Sequence, residues 1–222
     1  MKNLVVAIDG PAGAGKSTVA QLAAKELNCT YIDTGAMYRA VAWKTLQSGK
    51  AVTNELILAT VRDIKVNLSY ENGKTTVSVD GIDVTGKIRT PEVTAIVSKV
   101  AALGPVRAKM VELQRQMASR GDVLMDGRDI ATNVLPNANV KIFLTASIEE
   151  RARRRFKEMQ AKGYDVNLKE LQADIAARDK ADSEREISPL VQAADAELLD
   201  TSYMSIDEVV AAIVERCRKA TI

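Results

Sequence analysis

Positions 10 to 18 read Gly10, Pro11, Ala12, Gly13, Ala14, Gly15, Lys16, Ser17, Thr18, a complete G-x-x-x-x-G-K-[ST] loop. No other stretch restricts the fold as much. Such a loop binds phosphate with its own backbone, which requires a strand leading in and a helix leading out. The glycines let the chain curl so that successive N–H groups converge on phosphate oxygens. Lys16 supplies a point charge for the terminal phosphates, and the Ser17 hydroxyl can ligate the magnesium that bridges them. Both flanks fit. Residues 4–8 form an apolar, β-branched run that predicts a buried strand. Val19, Leu22, Ala23, Ala24 and Leu27 then recur at helical spacing as far as Asn28.

Beyond the loop, strands and helices alternate. Further core strands are expected at 30–33, 122–126, 140–144 and, weakly, 198–200. Thr90 before Pro91, Ser147 with Glu150, Asn167 with Glu170 and Ser205 with Glu208 mark helix starts. This order predicts an α/β domain: a five-stranded parallel sheet flanked by helices. One segment breaks the pattern. Val66, Leu68 and Tyr70 alternate with polar residues, as do Val77 and Val79, with turns at 71–74 and 80–81. It reads as a small antiparallel three-stranded insert with one buried face.

Composition narrows the chemistry. With 222 residues the chain can bury one good core. A net charge of +2 argues against a chain built to coat nucleic acid, so no nucleic-acid partner is expected. The absence of histidine removes His-based acid–base pairs and His-ligated zinc. Cys29 and Cys217 are in no metal or redox spacing and read as free thiols. No signal peptide and no apolar run long enough to span a membrane are visible, so the expectation is a cytoplasmic protein without membrane association.

A phosphate loop alone says only that a nucleoside triphosphate binds. The rest of the chain must choose among kinases for different acceptors, nucleotide-dependent switches and nucleic-acid-binding ATPases. The guanine-reading N-K-x-D element is missing. Arginines instead gather near the C-terminal ends of the expected strands: Arg39, Arg107, Arg128, the run Arg151, Arg153, Arg154, Arg155, and Arg178 and Arg185 around Asp182. Singly each reads as a solvated surface residue with a weak ion pair. Together they suit an enzyme that holds two phosphorylated molecules in line, where guanidinium forks offset the repulsion between them. Asp126 ends a strand, which suits either a magnesium-organising carboxylate or the cap of a tight Asp-Gly turn.

Four segments carry a resemblance: the loop at 10–18, Asp33-Thr34-Gly35-Ala36-Met37-Tyr38-Arg39, Asp126-Gly127-Arg128-Asp129, and the run 178–185. In order and spacing the chain resembles the bacterial cytidylate kinases over nearly its whole length. The resemblance implies a nucleoside monophosphate kinase fold with a helical lid. It implies core segments at 1–38, 96–148 and 192–222, an acceptor-binding region with the insert at 39–95, and a lid at 149–191. It implies ATP as donor with magnesium, CMP or dCMP as acceptor, and a monomer. By the same resemblance Gly10 to Thr18 bind ATP, Lys16, Arg128 and Arg178 are catalytic, and the run Arg151 to Arg155 belongs to the lid over ATP; the resemblance does not fix which of those four arginines meets the transferring phosphoryl, and Arg154 is taken here as catalytic. Thr34, Arg39, Ser98, Arg107, Arg128, Asp129, Arg178, Asp182 and Arg185 bind CMP, with Ser98, Arg107 and Asp129 reading cytosine. Ser17 would ligate magnesium, with Asp126 beside it. Serine and threonine follow the loop lysine where some relatives carry glycine and threonine, so either hydroxyl could serve the metal.

Overall fold

The computed structural model describes residues 3–220. In chain order it contains β1 (Val5–Asp9), α1 (Lys16–Glu26), β2 (Thr30–Asp33), α2 (Thr34–Leu46), α3 (Asn54–Asp63), β3 (Val66–Glu71), β4 (Lys74–Val79) and β5 (Ile82–Asp83). There follow α4 (Pro91–Ala102), α5 (Gly104–Ala118), β6 (Val123–Gly127), a π-helical turn (Ile130–Val134), β7 (Val140–Thr145), α6 (Ile148–Ala161), α7 (Leu168–Glu184), β8 (Glu197–Asp200) and α8 (Ile206–Ala220). Residues 1–2 and 221–222 of the expected core segments lie outside the described residues.

The five-stranded sheet is parallel, in the order β2-β6-β1-β7-β8. Its central strands are apolar on both sides because both faces are covered. Val6, Ile8, Leu124, Ile142 and Leu144 pack against Ala20, Ala23 and Ala24 of α1 and Ile213, Val214 and Cys217 of α8. Ala7, Val123, Met125 and Ile32 point the other way, onto Val111 and Ala118 of α5 and Ile130 and Val134 of the π-helical turn. Small residues on α1 let it lie close to the sheet, which fixes the phosphate loop at its N-terminus. Leu22, expected on the buried side, is instead 42% exposed, because the close-packed stripe of α1 is Val19, Ala20, Ala23 and Ala24.

The insert is a separate antiparallel sheet, β3-β4-β5, as the alternation predicts. Val77 and Val79 face Met37 and Val41 of α2 in a second core that includes Ile57, Ile88, Val100 and Met110. Helix starts follow the expected caps: Thr90 Oγ1 accepts from Val93 N at 3.4 Å, and Ser205 and Glu208 cap each other reciprocally. At α6 the box is only half formed. Ser147 Oγ accepts from Glu150 N at 3.2 Å, but the Glu150 carboxylate turns to Arg154.

Candidate active site

The loop is closed by its surroundings. A Cβ on Gly10 would lie 1.9 Å from Leu144 O of β7, so no side chain fits there. Gly15 caps α1 at φ +87°, a left-handed geometry that glycine adopts without strain. Lys16 is buried and folds back along the loop, its Nζ donating to Gly10 O at 2.7 Å and Pro11 O at 2.8 Å. Burial and then the nearby Arg128 push its pKa well below the ordinary lysine value. The loop is also fastened from outside. Arg151 of α6 donates to Ala12 O at 2.8 Å and pairs at 2.6 Å with Asp179 of α7, which accepts from Ala12 N. Arg151 is thus a buried support of the loop, distinct from its exposed neighbour Arg153.

Ser17 and Asp126 meet at the foot of α1. Ser17 Oγ donates to Asp126 Oδ2 at 3.1 Å, while Tyr31 OH donates to Asp126 Oδ1 at 2.7 Å. Gly127 still belongs to β6, so Asp126 caps no turn. Its side chain faces the loop helix. Burial, then the charge of Asp33, raises its pKa. Asp33 caps α2 by accepting from Ala36 N at 2.9 Å and is ion-paired with Arg89.

A cleft of about 1280 Å³ runs from this corner between the phosphate loop and the elements around the insert. Ala12 to Thr18 line one wall; Arg39, Arg89, Arg128, Arg155, Arg178 and Ser98 line the others. Arg39 is aimed by Thr94 Oγ1 at 2.8 Å and Ile88 O at 3.3 Å. Arg128 is held by Asp182. Arg178 Nε is buried without a hydrogen-bond partner. Burial, followed by Arg178 and Arg89, drives the Arg39 pKa down to about 9; burial, followed by Arg128, drives Arg178 to about 10. Such crowding of like charge is costly without an anion among them. The walls therefore suit two sets of phosphates: one on the loop, one among Arg39, Arg128 and Arg178.

Behind the cleft wall lies a second charged cluster. Arg107 and Asp129 form a fully buried ion pair, Arg185 NH2 approaches Asp129 Oδ1 at 3.5 Å, and Asn133 donates to Oδ2 at 3.0 Å. The Arg107 guanidinium lies 5.5 Å from the Tyr38 ring centroid. Ser98 reaches the cleft, whereas Arg107, Asp129, Asp182, Arg185 and Thr34 sit behind its surface. Thr34 Oγ1 is spent on Asp126 O at 2.7 Å.

Sequence reasoning passed over several residues. Asp9 ends β1 with both carboxylate oxygens accepting at 2.8 Å, from Ile130 N and Ala131 N, and burial raises its pKa to about 6. Arg89 and Tyr31 also reach the site, as does Arg155 of the arginine run named from the sequence. Asp9, directly before Gly10 at a strand end, could have been singled out by position. Arg89 and Tyr31 carried no local signal. Arg154, chosen as catalytic, binds Ala14 O at 3.3 Å and Thr201 O at 2.6 Å, tying the loop to the segment after β8; Arg155 pairs with Glu158 at 2.9 Å on the cleft wall.

The family model described as "Cytidylate kinase" matches residues 6–219. A protein named cytidylate kinase from Desulfitobacterium hafniense (strain Y51) is 54% identical over 210 residues, covering 94% of this chain and 90% of that one. Another so named, from Lysinibacillus sphaericus (strain C3-41), is 51% identical over 219 residues, covering 96% of each. A crystal structure of an uncharacterized protein from Eubacterium ventriosum ATCC 27560 superposes with a TM-score of 0.53 at 13% identity, covering 98% of this chain and 99% of the other, a likeness of fold alone.

Proposed function

The chain belongs to the cytidylate kinase family, and on that premise we propose that it transfers the terminal phosphoryl group of ATP to CMP or dCMP, releasing ADP and the nucleoside diphosphate. The observation that carries this reading is the set of guanidinium groups, Arg39, Arg128 and Arg178, facing the phosphate loop across one cleft. A hydrolase needs one phosphate site; a kinase needs two, brought into line. Loop N–H groups and Lys16 would hold the donor phosphates. Arg39 and Arg128 would grip the acceptor 5′-phosphate as charge-assisted forks. Arg178, with an unpaired buried Nε, would stabilise charge on the transferring group. Segments 39–95 and 149–191 would serve as acceptor region and lid around the core.

Cytosine offers an amine donor and two acceptors. Ser98 on the cleft wall, with Asp129 and Arg107 buried behind it, would complement it, while uracil would leave polar groups unpaired. Arg185 and Asp182 would contact sugar and phosphate.

Magnesium fits the corner. Ser17 Oγ beside the Asp126 carboxylate is a pair of hard oxygen donors. No group of three or more His, Cys, Asp or Glu among the described residues could hold a metal, so phosphate oxygens would complete the shell. Bound there, the ion would neutralise charge on the donor phosphates. Ser17 faces Asp126, which favours it over Thr18.

The partners in this reading are small nucleotides, with no nucleic acid, no membrane, a monomeric state and a cytoplasmic location. Among the described residues no helix is long and apolar enough to cross a membrane. The test is an ADP-release assay over an acceptor panel. ADP formation dependent on CMP or dCMP, poor with UMP and absent with AMP, is expected; steady release without an acceptor overturns the reading.

A further inference from the structure

Asp126 is held in place by an aromatic relay that starts in the insert. The Tyr31 hydroxyl is buried and donates to Asp126 Oδ1 at 2.7 Å, leaving Oδ2 for Ser17. The Tyr31 ring meets the Tyr70 ring of β3 edge-to-face, centroids 5.8 Å apart at 76°. Tyr70 OH donates to Gln21 O at 3.3 Å, and Gln21 Nε2 donates to Gly73 O at 3.0 Å. Gln21 sits one turn beyond Ser17 on the same helix. The contacts therefore close a ring: α1 to the insert, the insert to β2, β2 to β6, and β6 back to α1.

A carboxylate with two oxygens has several directions in which it can accept. Only one rotation gives Oδ2 to Ser17. A buried hydroxyl fixed on Oδ1 selects that rotation and satisfies the other oxygen, which would otherwise be a buried acceptor without a donor. The phenol suits this task because a hydroxyl facing a carboxylate oxygen donates to it.

We propose that Tyr31 is a positioning residue that orients Asp126 toward Ser17 for the magnesium–nucleotide complex, and that Tyr70 couples this corner to the insert. This rests on the kinase reading for its metal but makes a separate claim about how the metal corner is built. Tyr31 lines the cleft, but the role assigned to it runs through the carboxylate its hydroxyl holds. Its loss is felt through Asp126.

The test is Tyr31→Phe, which removes the hydroxyl and keeps the ring against Tyr70. Binding of a fluorescent ATP analogue is measured with and without Mg2+, and Mn2+ binding to the protein–ATP complex is followed by electron paramagnetic resonance. Metal-free nucleotide affinity should be unchanged, while Mn2+ affinity and the Mg2+-dependent gain in nucleotide binding fall about tenfold, the size expected for a lost hydrogen bond to a charged group. In turnover the Mg2+ requirement should rise while the KM for CMP stays put. Unchanged metal binding, or an equal loss with and without metal, overturns the proposal. Tyr70→Leu is the second variant, should Tyr31→Phe not fold; it removes the ring partner without touching Asp126. It should shift Mn2+ affinity in the same direction by roughly twofold to threefold, as one aromatic contact is worth less than a charged hydrogen bond. No shift in that variant removes the insert from the relay. Because metal and nucleotide binding are read without an acceptor, a wild-type enzyme that ignored CMP would sink the kinase reading and leave this result standing.

Discussion

Arg128 Nε donates to Asp182 Oδ2 at 2.9 Å, joining the residue just past β6 to the last third of α7. The contact ties the end of the sheet that carries Asp126 to the helix that carries Arg178. Burial acts to raise the Asp182 pKa, but Arg128, then Arg178, outweigh it and hold the carboxyl below its ordinary value. Arg128→Ala should therefore do two things: weaken CMP and loosen α7. Arg39→Ala should weaken CMP without the second effect, since Arg39 is held by Thr94 and Ile88 instead. Steady-state kinetics should show each KM for CMP rising at least tenfold, with the KM for ATP little changed. Proteolysis should quicken only in Arg128→Ala. A larger loss for ATP than for CMP would move both arginines to the donor.

Lys16→Ala should lower turnover roughly 100-fold or more, the usual scale for losing one preorganised electrostatic partner. The side chain now bonds Gly10 O and Pro11 O, so the loop loses two internal contacts as well. Circular dichroism should still report a folded chain. Near-normal turnover would take the phosphate loop out of the mechanism.

The buried pair behind the cleft makes acceptor selectivity and stability inseparable. Arg107→Met should reduce the preference for CMP over UMP by roughly tenfold to a hundredfold, since a buried polar group left unpaired costs about 1–3 kcal/mol. It also leaves Asp129 with only Asn133 and the longer contact to Arg185, and breaking a buried pair costs about 3–5 kcal/mol, so Tm should fall too. Ser98→Ala, on the cleft wall, should change selectivity less and Tm hardly at all. A Tm change in Arg107→Met with selectivity intact would make the pair a structural element only.

Arg154 and Arg155 separate by their contacts. Arg154→Ala releases Thr201 O and Ala14 O and should raise the KM for ATP. Arg155 lines the same cleft but is held by Glu158 and not by the loop, so Arg155→Ala should lower kcat more than it raises either KM. The opposite pattern would return the catalytic role to Arg154.

Asp9 supplies a pH signature. Its carboxyl titrates near 6 in the native state against 3.8 ordinarily, because burial favours the neutral form. The native state thus holds the proton more tightly, and the stability this confers is fully present below 3.8 and is lost as pH rises through about 6. Asp9→Ala also strips the acceptors from Ile130 N and Ala131 N. Denaturant melts should show a destabilisation roughly 1 kcal/mol larger at pH 5 than at pH 7.5. An equal loss at both pH values would mean that Asp9 titrates normally.

What could be read in the sequence was whatever is local. The phosphate loop, its strand and its helix announce themselves because glycine, lysine and hydroxyl must occupy fixed steps along nine residues. The caps at Thr90 and Ser205 are equally local. Tyr31 and Arg89 were missed because their partners lie 95 and 56 positions away, whereas Asp9 had a local signal in its place before Gly10. Nothing in a tyrosine at the start of a strand says that its hydroxyl will meet the carboxylate of the neighbouring strand. The exposure of Leu22 has the same origin: helical spacing gives a face, and only the arrival of α8 decides its width.

The unpaired Nε of Arg178 sits in a cleft where six guanidinium groups and a lysine share one space. Asp33, Asp182 and Glu158 offset only part of their mutual repulsion, so this arrangement of charge serves ligand binding at a cost in stability. Simple polyanions should therefore raise its melting temperature out of proportion to the surface they cover. Salt should act with two signs, strengthening the empty fold by screening and weakening nucleotide binding by the same means. The substrate, for such a protein, is the missing part of its core electrostatics, and much of its rigidity arrives with the phosphates.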